Sequence, residues 1–530
     1  MRFSFVIGLS LASVVIAADP YKTPEGLVRG GAFMDLILPI PVTDGLERDC
    51  WGGDNVKPRV VKNGIEDPQW SYWCASGMIG PDGKEHLFTV RWPQNKSHKY
   101  WVHSQLVHAV ADKPTGPFTV IEEIGPGHNA EIYQTKDGTY VVSVTGKDYR
   151  SKNINGPWEP VKPRFDVTEP SMSNKTFARR EDGSFLMITR AGTVWLSEDG
   201  LKPWRRLSPK SVYPYTGALE DPVLWRDEVQ YHLIVNNWPK RMAHYGRSKD
   251  GLHWTWDPGT AYDNTAVRHP DGTIEGWYKI ERPKVRQDKF GRATHMYFAV
   301  IDCPKEKCDG TNSSSSKAVV VPLVVGRRLA ILAMDDKTIR VEIKAEDGFD
   351  PQNDVDVRSL RFGAPHAVNF GKGSKPLRSE SSGKNLIVTF DATGHGLTTD
   401  DFVAKLIGRN TRGELLFGYA RLPVHAVFEP LLVARLPSFS SDKMSVVFEN
   451  VGLVKSTAAS VKIVIRSQGL DKKKPGKELQ HLTGTVPPLE PYATVSLELP
   501  FTSSAIPSGT YDVDVLISAD IFTFRGIVVP

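Results

Sequence analysis

Leu219-Glu220-Asp221-Pro222-Val223-Leu224-Trp225-Arg226-Asp227, followed by Tyr231-His232-Leu233-Ile234-Val235, is the stretch on which the reading of this chain turns. Pro222 can only open a strand or sit at an edge, and the period-2 apolar run behind it reads as a buried inner strand. Two adjacent carboxylates, Glu220 and Asp221, therefore stand at a strand mouth.

The same frame recurs through the first three hundred residues. Trp73-Cys74 precedes Pro81-Asp82-Gly83 and the apolar run 86–90; His128-Asn129 precedes Asp137-Gly138 and 140–142; Ser173-Asn174 precedes Asp182-Gly183 and 185–187; Glu281-Arg282-Pro283 precedes Phe290-Gly291 and 296–300. Outer strands repeat as well, in Gly116-Pro117-Phe118, Gly156-Pro157-Trp158, Ser197-Glu198-Asp199-Gly200 with Trp204, and Ser248-Lys249-Asp250-Gly251 with Trp254. The second residue of each frame falls at 74, 129, 174, 221 and 282, giving spacings of 55, 45, 47 and 61 residues. Propeller blades run on the order of 40–50 residues, so two gaps fit and two carry insertions. The expected fold is all-β: a five-bladed β-propeller over 19–326, with a loop-rich N-terminal lid segment before the first blade. A β-sandwich is the alternative, but it does not require inner-strand and outer-strand signals to recur in one order.

At 530 residues the chain is too long for a single core. The run 318–323 adds a strand that closes the ring. Beyond about 327 tryptophan gives way to short Val/Ile/Leu strands, as in 338–343 and 385–390, predicting a small β-sandwich over 327–424; a second occupies 425–530. The 66 basic and 61 acidic residues leave a formal charge of only +5, without a concentrated basic run in the first 300 residues. Neither nucleic-acid nor membrane binding follows from that balance. Arg2, the apolar run 5–16 and the small pair Ala17-Ala18 read as a signal peptide over 1–18, so the expected location is secreted or periplasmic. In such a compartment Cys303 and Cys308 are close enough to clip their own loop, which leaves Cys50 to reach Cys74. No CxxC or nearby His pair supports a metal site there.

In a propeller the first residues of the inner strands surround one channel. Here that ring comprises Trp73/Cys74, His128/Asn129, Ser173/Asn174, Glu220/Asp221 and Glu281/Arg282. Glycosidic cleavage needs a carboxylic acid to protonate the leaving oxygen and a carboxylate to activate water or attack the anomeric carbon, and this ring holds such groups. Five blades, Asp221-Pro222 opening one inner strand, and Glu281-Arg282-Pro283 one blade later resemble the five-bladed propeller glycosidases of glycoside hydrolase families 43, 32 and 117. The resemblance covers about 60–320. It implies Glu281 as the acid and Asp221 as its tuning or orienting residue. The first frame carries no carboxylate, so the base falls to the preceding loop, with Asp54 first and Asp35 or Asp67 behind it. His128, Asn129, Asn174, Glu220, Arg282 and Trp73 form the substrate-binding set, Arg282 admitting an anionic sugar. Each has a quieter reading: a turn cap for Asp221, an ion pair between Glu220 and Arg282, a partner of Lys279 or Arg286 for Glu281, core packing for Trp73. The reading assigns no cofactor and leaves a structural Ca2+ in the channel open. The last domain is similar to the adhesion-related Ig-like modules appended to secreted bacterial enzymes, with a spacer role. A secreted, exo-acting glycosidase on a plant or algal saccharide is the expected function; a lyase on the same scaffold and a non-catalytic carbohydrate-binding protein are the rivals.

Overall fold

The computed structural model describes residues 27–169, 171–208, 210–307, 316–425, 428–440, 442–468, 475–501, 504 and 506–530. The expected signal segment and Cys308 lie outside them. The described chain is nearly all β, and helix is confined to short pieces such as Phe33–Leu36, Asp54–Val56 and His98–His103.

Five antiparallel sheets follow one another along the chain, each a simple meander. The first is β1 (Trp70–Ile79), β2 (Glu85–Pro93), β3 (Gln105–Ala111) and β4 (Thr119–Pro126); the second is β5 (Glu131–Gln134), β6 (Tyr140–Val144), β7 (Lys147–Ser151) and β8 (Glu159–Val161). The third is β9 (Thr176–Arg179), β10 (Phe185–Ile188), β11 (Val194–Ser197) and β12 (Arg205–Arg206); the fourth is β13 (Leu219–Arg226), β14 (Tyr231–Asn237), β15 (Met242–Ser248) and β16 (Thr255–Trp256). The fifth holds β17 (Lys279–Gln287), β18 (Ala293–Ile301) and β19 (Ser316–Pro322). Each first hairpin is set by an aspartate whose side chain accepts a backbone N–H two residues on: Asp82 from Lys84, Asp137 from Thr139, Asp182 from Ser184, Asp227 from Val229 and Asp288 from Phe290. That is how Asp nucleates a turn, and it explains the acidic residue in every frame.

First strands lie beside one another, β1 against β5, β9 against β13 and β13 against β17, and β17 returns to β1. Glu131 joins β5 to β9 by accepting from Thr176 Oγ1 and Phe177 N, both at 3.0 Å. The chain ahead of β1 fastens the last sheet to the first. Ile65 pairs with Ala318, and the Asn63 side chain bonds both ways to Val320. Arg59, Glu66 and Lys317 form a fully buried charged triad there, each ion pair at 2.5 Å.

Part of the N-terminal stretch expected as a lid is core. Phe33, Leu36, Ile37, Ile40 and Val56 are buried in one core with Trp225, Ile280 and Phe298 of the fourth and fifth sheets and Phe417 and Tyr419 further on. Those apolar side chains, spaced among glycines and acids, tie the segment down and make it core rather than cover.

Strand 327–334 is shared by two halves of a seven-stranded sheet: Arg327 and Arg328 pair in parallel with Gly418 and Tyr419, and the remainder pairs with 339–343. A core including Val341, Phe362, Phe390 and Leu406 fills the fold. Two four-stranded sheets drawn from 432–529 share a final core around Val446, Phe448, Ile463 and Val515. That core runs on without a break into Leu186, Leu196, Leu207 and Leu224 of the third and fourth sheets. Arg180 donates to Val451 O at 2.8 Å, Arg205 pairs with Glu449 at 2.8 Å, and His253 meets Asp520 at 2.6 Å. A free spacer does not bury its flank, so the expected spacer role gives way to a docked module.

Candidate active site

Among the non-glycine residues, Cys74, Asn129, Asn174, Asp221 and Arg282 all have positive φ, between 50° and 60°. These are the second residues of the five frames. Asn and Asp tolerate this left-handed conformation, but Cys and Arg adopt it against a cost of roughly 1–2 kcal/mol. In β1, β13 and β17 the ladder skips at the same place, between Trp73 and Ser76, Glu220 and Val223, and Glu281 and Lys284. The kink lifts one side chain per strand out of the pleat and turns it toward the neighbouring sheet.

Those side chains join hands. Cys74 Sγ lies 3.4 Å from Asn129 Oδ1, Asn129 Nδ2 donates to Asn174 Oδ1 at 2.6 Å, and Asn174 Nδ2 donates to Asp221 Oδ1 at 2.7 Å. Arg282 closes the series with a 2.5 Å ion pair to Asp221 and a backbone N–H to its other oxygen at 3.3 Å. The space they enclose is about 10 Å³, room for roughly one water. Sugar cannot enter it. As a Ca2+ site the ring fits poorly, because its one carboxylate is already neutralised by a guanidinium and the other donors are amides and a thiol. Arg282, 11% exposed at the side chain and committed to Asp221, is likewise withdrawn from sugar binding.

One residue earlier in each frame, Trp73, His128, Ser173, Glu220 and Glu281 form the rim of this end. Glu220 pairs with Arg190 at 2.9 Å rather than with Arg282. Burial, and then the charge of Asp221 beside it, push its carboxyl up to about 7. Burial acts in the same direction on Glu281, but Lys305, Lys279 and Arg282 outweigh it and hold that carboxyl at about 2. Lys305 is 2.9 Å from Glu281 Oε2, while Lys279 and Arg241 stand 3.3 and 3.6 Å from Oε1. These cations thus hold Glu281 ionised at neutral pH, whereas Glu220 is raised, and the charge of Asp221 acts on Glu220, its own neighbour.

The loop carboxylates have partners close by in the chain. Asp54 is fully exposed, 3.7 Å from Lys57. Asp35 accepts from Ala32 N, and Asp67 accepts from Gln69 N, Trp70 N and Tyr72 Oη. Both fasten their own loops. Trp73 is 1% exposed, with Lys305 Nζ 4.8 Å over its ring, so it offers no open face for stacking. His98 packs edge-on against Trp73 at 4.7 Å, and burial, followed by the charge of Lys305, drives its imidazole down to about 3. His128 meets Trp101 edge-on at 4.7 Å. Cys303 is disulfide-bonded, whereas Cys50 and Cys74 are free; the pairing of those two does not form because Cys74 is bound into the ring and Cys50 lies against Glu47 O.

Sequence reading missed the residues that loops bring to this end. Arg190, Trp238, Arg241 and Lys305 sit on second-to-third strand connections, which emerge on the same side as the starts of the inner strands. Trp238, Tyr278 and Tyr100 are 40%, 37% and 38% exposed there. Arg241 lies 4.7 Å over the Tyr278 ring. An aromatic residue next to a turn between strands was the available signal. Amphipathic rings beside ionisable carboxylates are the side chains that hold a saccharide face.

No family model matches the sequence, and no curated protein matches it. Among solved structures, a protein of unknown function from Dyadobacter fermentans is similar at 12% identity over 57% of this chain and 95% of its own, with a TM-score of 0.32. A family 117 glycoside hydrolase from Zobellia galactanivorans is similar at 10% identity over 52% and 89%, TM-score 0.35. A family 43 arabinoxylan arabinofuranohydrolase from Bacillus subtilis, in complex with cellotetraose, is similar at 12% over 87% and 96%, TM-score 0.34. Neither activity nor substrate is inferred from likeness of this degree.

Proposed function

We propose that this chain is a glycoside hydrolase built on a five-bladed β-propeller over 19–326, exported by a signal peptide over 1–18 and carrying two β-sandwich modules over 327–424 and 425–530. The observation that carries the reading is the separation of two rim carboxylates on adjacent inner strands, Glu220 near 7 and Glu281 near 2. Environments that drive two carboxyls apart assign an acid and a base. Glu220 protonates the leaving oxygen; Glu281, ionised, activates water or attacks the anomeric carbon. Asp221 and Arg282 hold the two strands in register. Arg190, Lys279, Arg241 and Lys305 outnumber the rim carboxylates and favour an anionic saccharide, a uronate or sulfated sugar, acted on from a chain end.

Substitution separates the roles. Glu220→Gln should lower turnover of unactivated saccharides by roughly 10²–10⁴-fold and spare aryl glycosides, whose leaving groups need no proton. Glu281→Gln should abolish turnover of both. The same substitutions test a second reading, carbohydrate binding without turnover, which the three cations around Glu281 favour. Glycan binding with no hydrolysis by the wild-type protein on either substrate class would establish that reading in place of ours.

A further inference from the structure

Three triplets match the acceptor pattern for N-linked glycosylation, an Asn with a hydroxyl residue two positions on and no Pro between. They are Asn95-Lys96-Ser97, Asn174-Lys175-Thr176 and Asn312-Ser313-Ser314, the last outside the described residues. The fold sets the first two apart.

Asn174 is 7% exposed and both ends of its amide are spent: Nδ2 donates to Asp221 Oδ1 at 2.7 Å, and Oδ1 accepts from Asn129 Nδ2 at 2.6 Å. Thr176 is buried, its Oγ1 donating to Glu131 Oε1 at 3.0 Å and accepting from Leu224 N at 2.9 Å. The ring encloses about 10 Å³, far less than a sugar occupies. A glycan on Asn174 and a closed ring therefore exclude each other.

Asn95 is the opposite case. It stands on the turn that leaves β2, where Lys96 N donates to Pro93 O at 3.0 Å, and it is exposed. Among the described residues its amide makes no side-chain hydrogen bond. Ser97 occupies the N-cap of the helix His98–His103, where a serine usually spends its oxygen on a backbone N–H, yet it makes no such bond. Lys96, between them, turns to Tyr100, its Nζ 6.0 Å over that ring. Amide and hydroxyl, the two groups the pattern requires, are thus both unengaged on a surface turn, where added bulk is tolerated. The turn belongs to the β2–β3 connection, the first sheet's counterpart of those carrying Arg190, Trp238 and Lys305. A glycan there stands at the rim beside exposed Tyr100.

We propose that Asn95 is an N-glycosylation site, filled during the export that segment 1–18 directs, and that Asn174 stays bare. The donor is an oligosaccharide on a polyprenyl pyrophosphate. A bond forms from Asn95 Nδ2 to the anomeric carbon, the bond from that carbon to the pyrophosphate oxygen breaks, polyprenyl pyrophosphate leaves, and the amide gives up one proton.

The full-length protein is secreted from a eukaryotic host that N-glycosylates its exports, and the glycans are removed by peptide N-glycosidase in heavy-oxygen water. Peptide mass spectrometry should then find the label at residue 95 and none at 174. Ser97→Ala should abolish the label at 95, and Ser97→Thr should keep it; thermal unfolding checks that both variants are folded. A chain that its own segment 1–18 fails to export would count against the export reading alone, because a proven leader in place of 1–18 brings the same chain to the transferase. Secreted, folded protein bare at Asn95, a label at 95 that survives Ser97→Ala, or an occupied Asn174 in folded protein would each overturn the proposal.

Discussion

Glu220 and Glu281 occupy equivalent positions on neighbouring strands and differ only in company. If both act as proposed, the active form carries a proton on Glu220 and none on Glu281. kcat/KM should then fall as pH rises through about 7, with no limb near pH 4–5 from Glu281, as a pH-rate profile would show. Arg190 opposes the upward push on Glu220, so Arg190→Gln should move the alkaline limb to higher pH; a downward move would contradict the assignment. Stability carries the same signature. A carboxyl raised in the folded state contributes stability below its unfolded pKa, near 4.5, and loses it as pH rises through about 7. Glu220→Gln should therefore be more stable than wild type at pH 8, by up to roughly 3 kcal/mol, with the gain vanishing below pH 4.5 in denaturant titrations. The two carboxylates were legible in the sequence, because an acid two residues before a proline, ahead of an apolar run, is out of place. Their roles were not. Arg190, Arg241 and Lys305 come from three different loops, and no spacing announces which charge will stand beside which.

At the scale of the strand, a left-handed second residue is what five frames share. Asn174 combines a left-handed backbone with both side-chain bonds to its neighbours, and both are lost in Asn174→Ala. That change should cost roughly 2–4 kcal/mol in chemical denaturation, whereas Asn174→Gly, free of the backbone penalty, should cost distinctly less. Equal losses would mean that the conformation is unimportant. Asp, Asn and turn glycines made the alignment of frames readable, since few residues serve those conformations. Cys74 and Arg282 gave no such hint and were placed only by their register with the other three. Asp54 misled for the complementary reason: acids among glycines also mark ordinary exposed turns.

Across the whole molecule, the modules behave as one packed body. All thirteen tryptophans lie between 51 and 277, so indole fluorescence reports the five-sheet array alone while far-ultraviolet circular dichroism reports every strand. Because one core spans the third and fourth sheets and the final module, the two signals should trace a single thermal transition; a separate early loss of dichroism would contradict the docking. The change in composition past about residue 327 was visible in the sequence, but the docking was not, since Arg180, Arg205 and His253 find their partners more than two hundred residues away. The ring of left-handed residues has one more implication. Its members are separated by 55, 45, 47 and 61 residues, yet each arrives at the same station, so the intervening chain length is immaterial to closure. The connections at the mouth can accordingly be lengthened, exchanged between relatives or redesigned for a new ligand without disturbing the hub, which makes this scaffold unusually forgiving to the protein engineer.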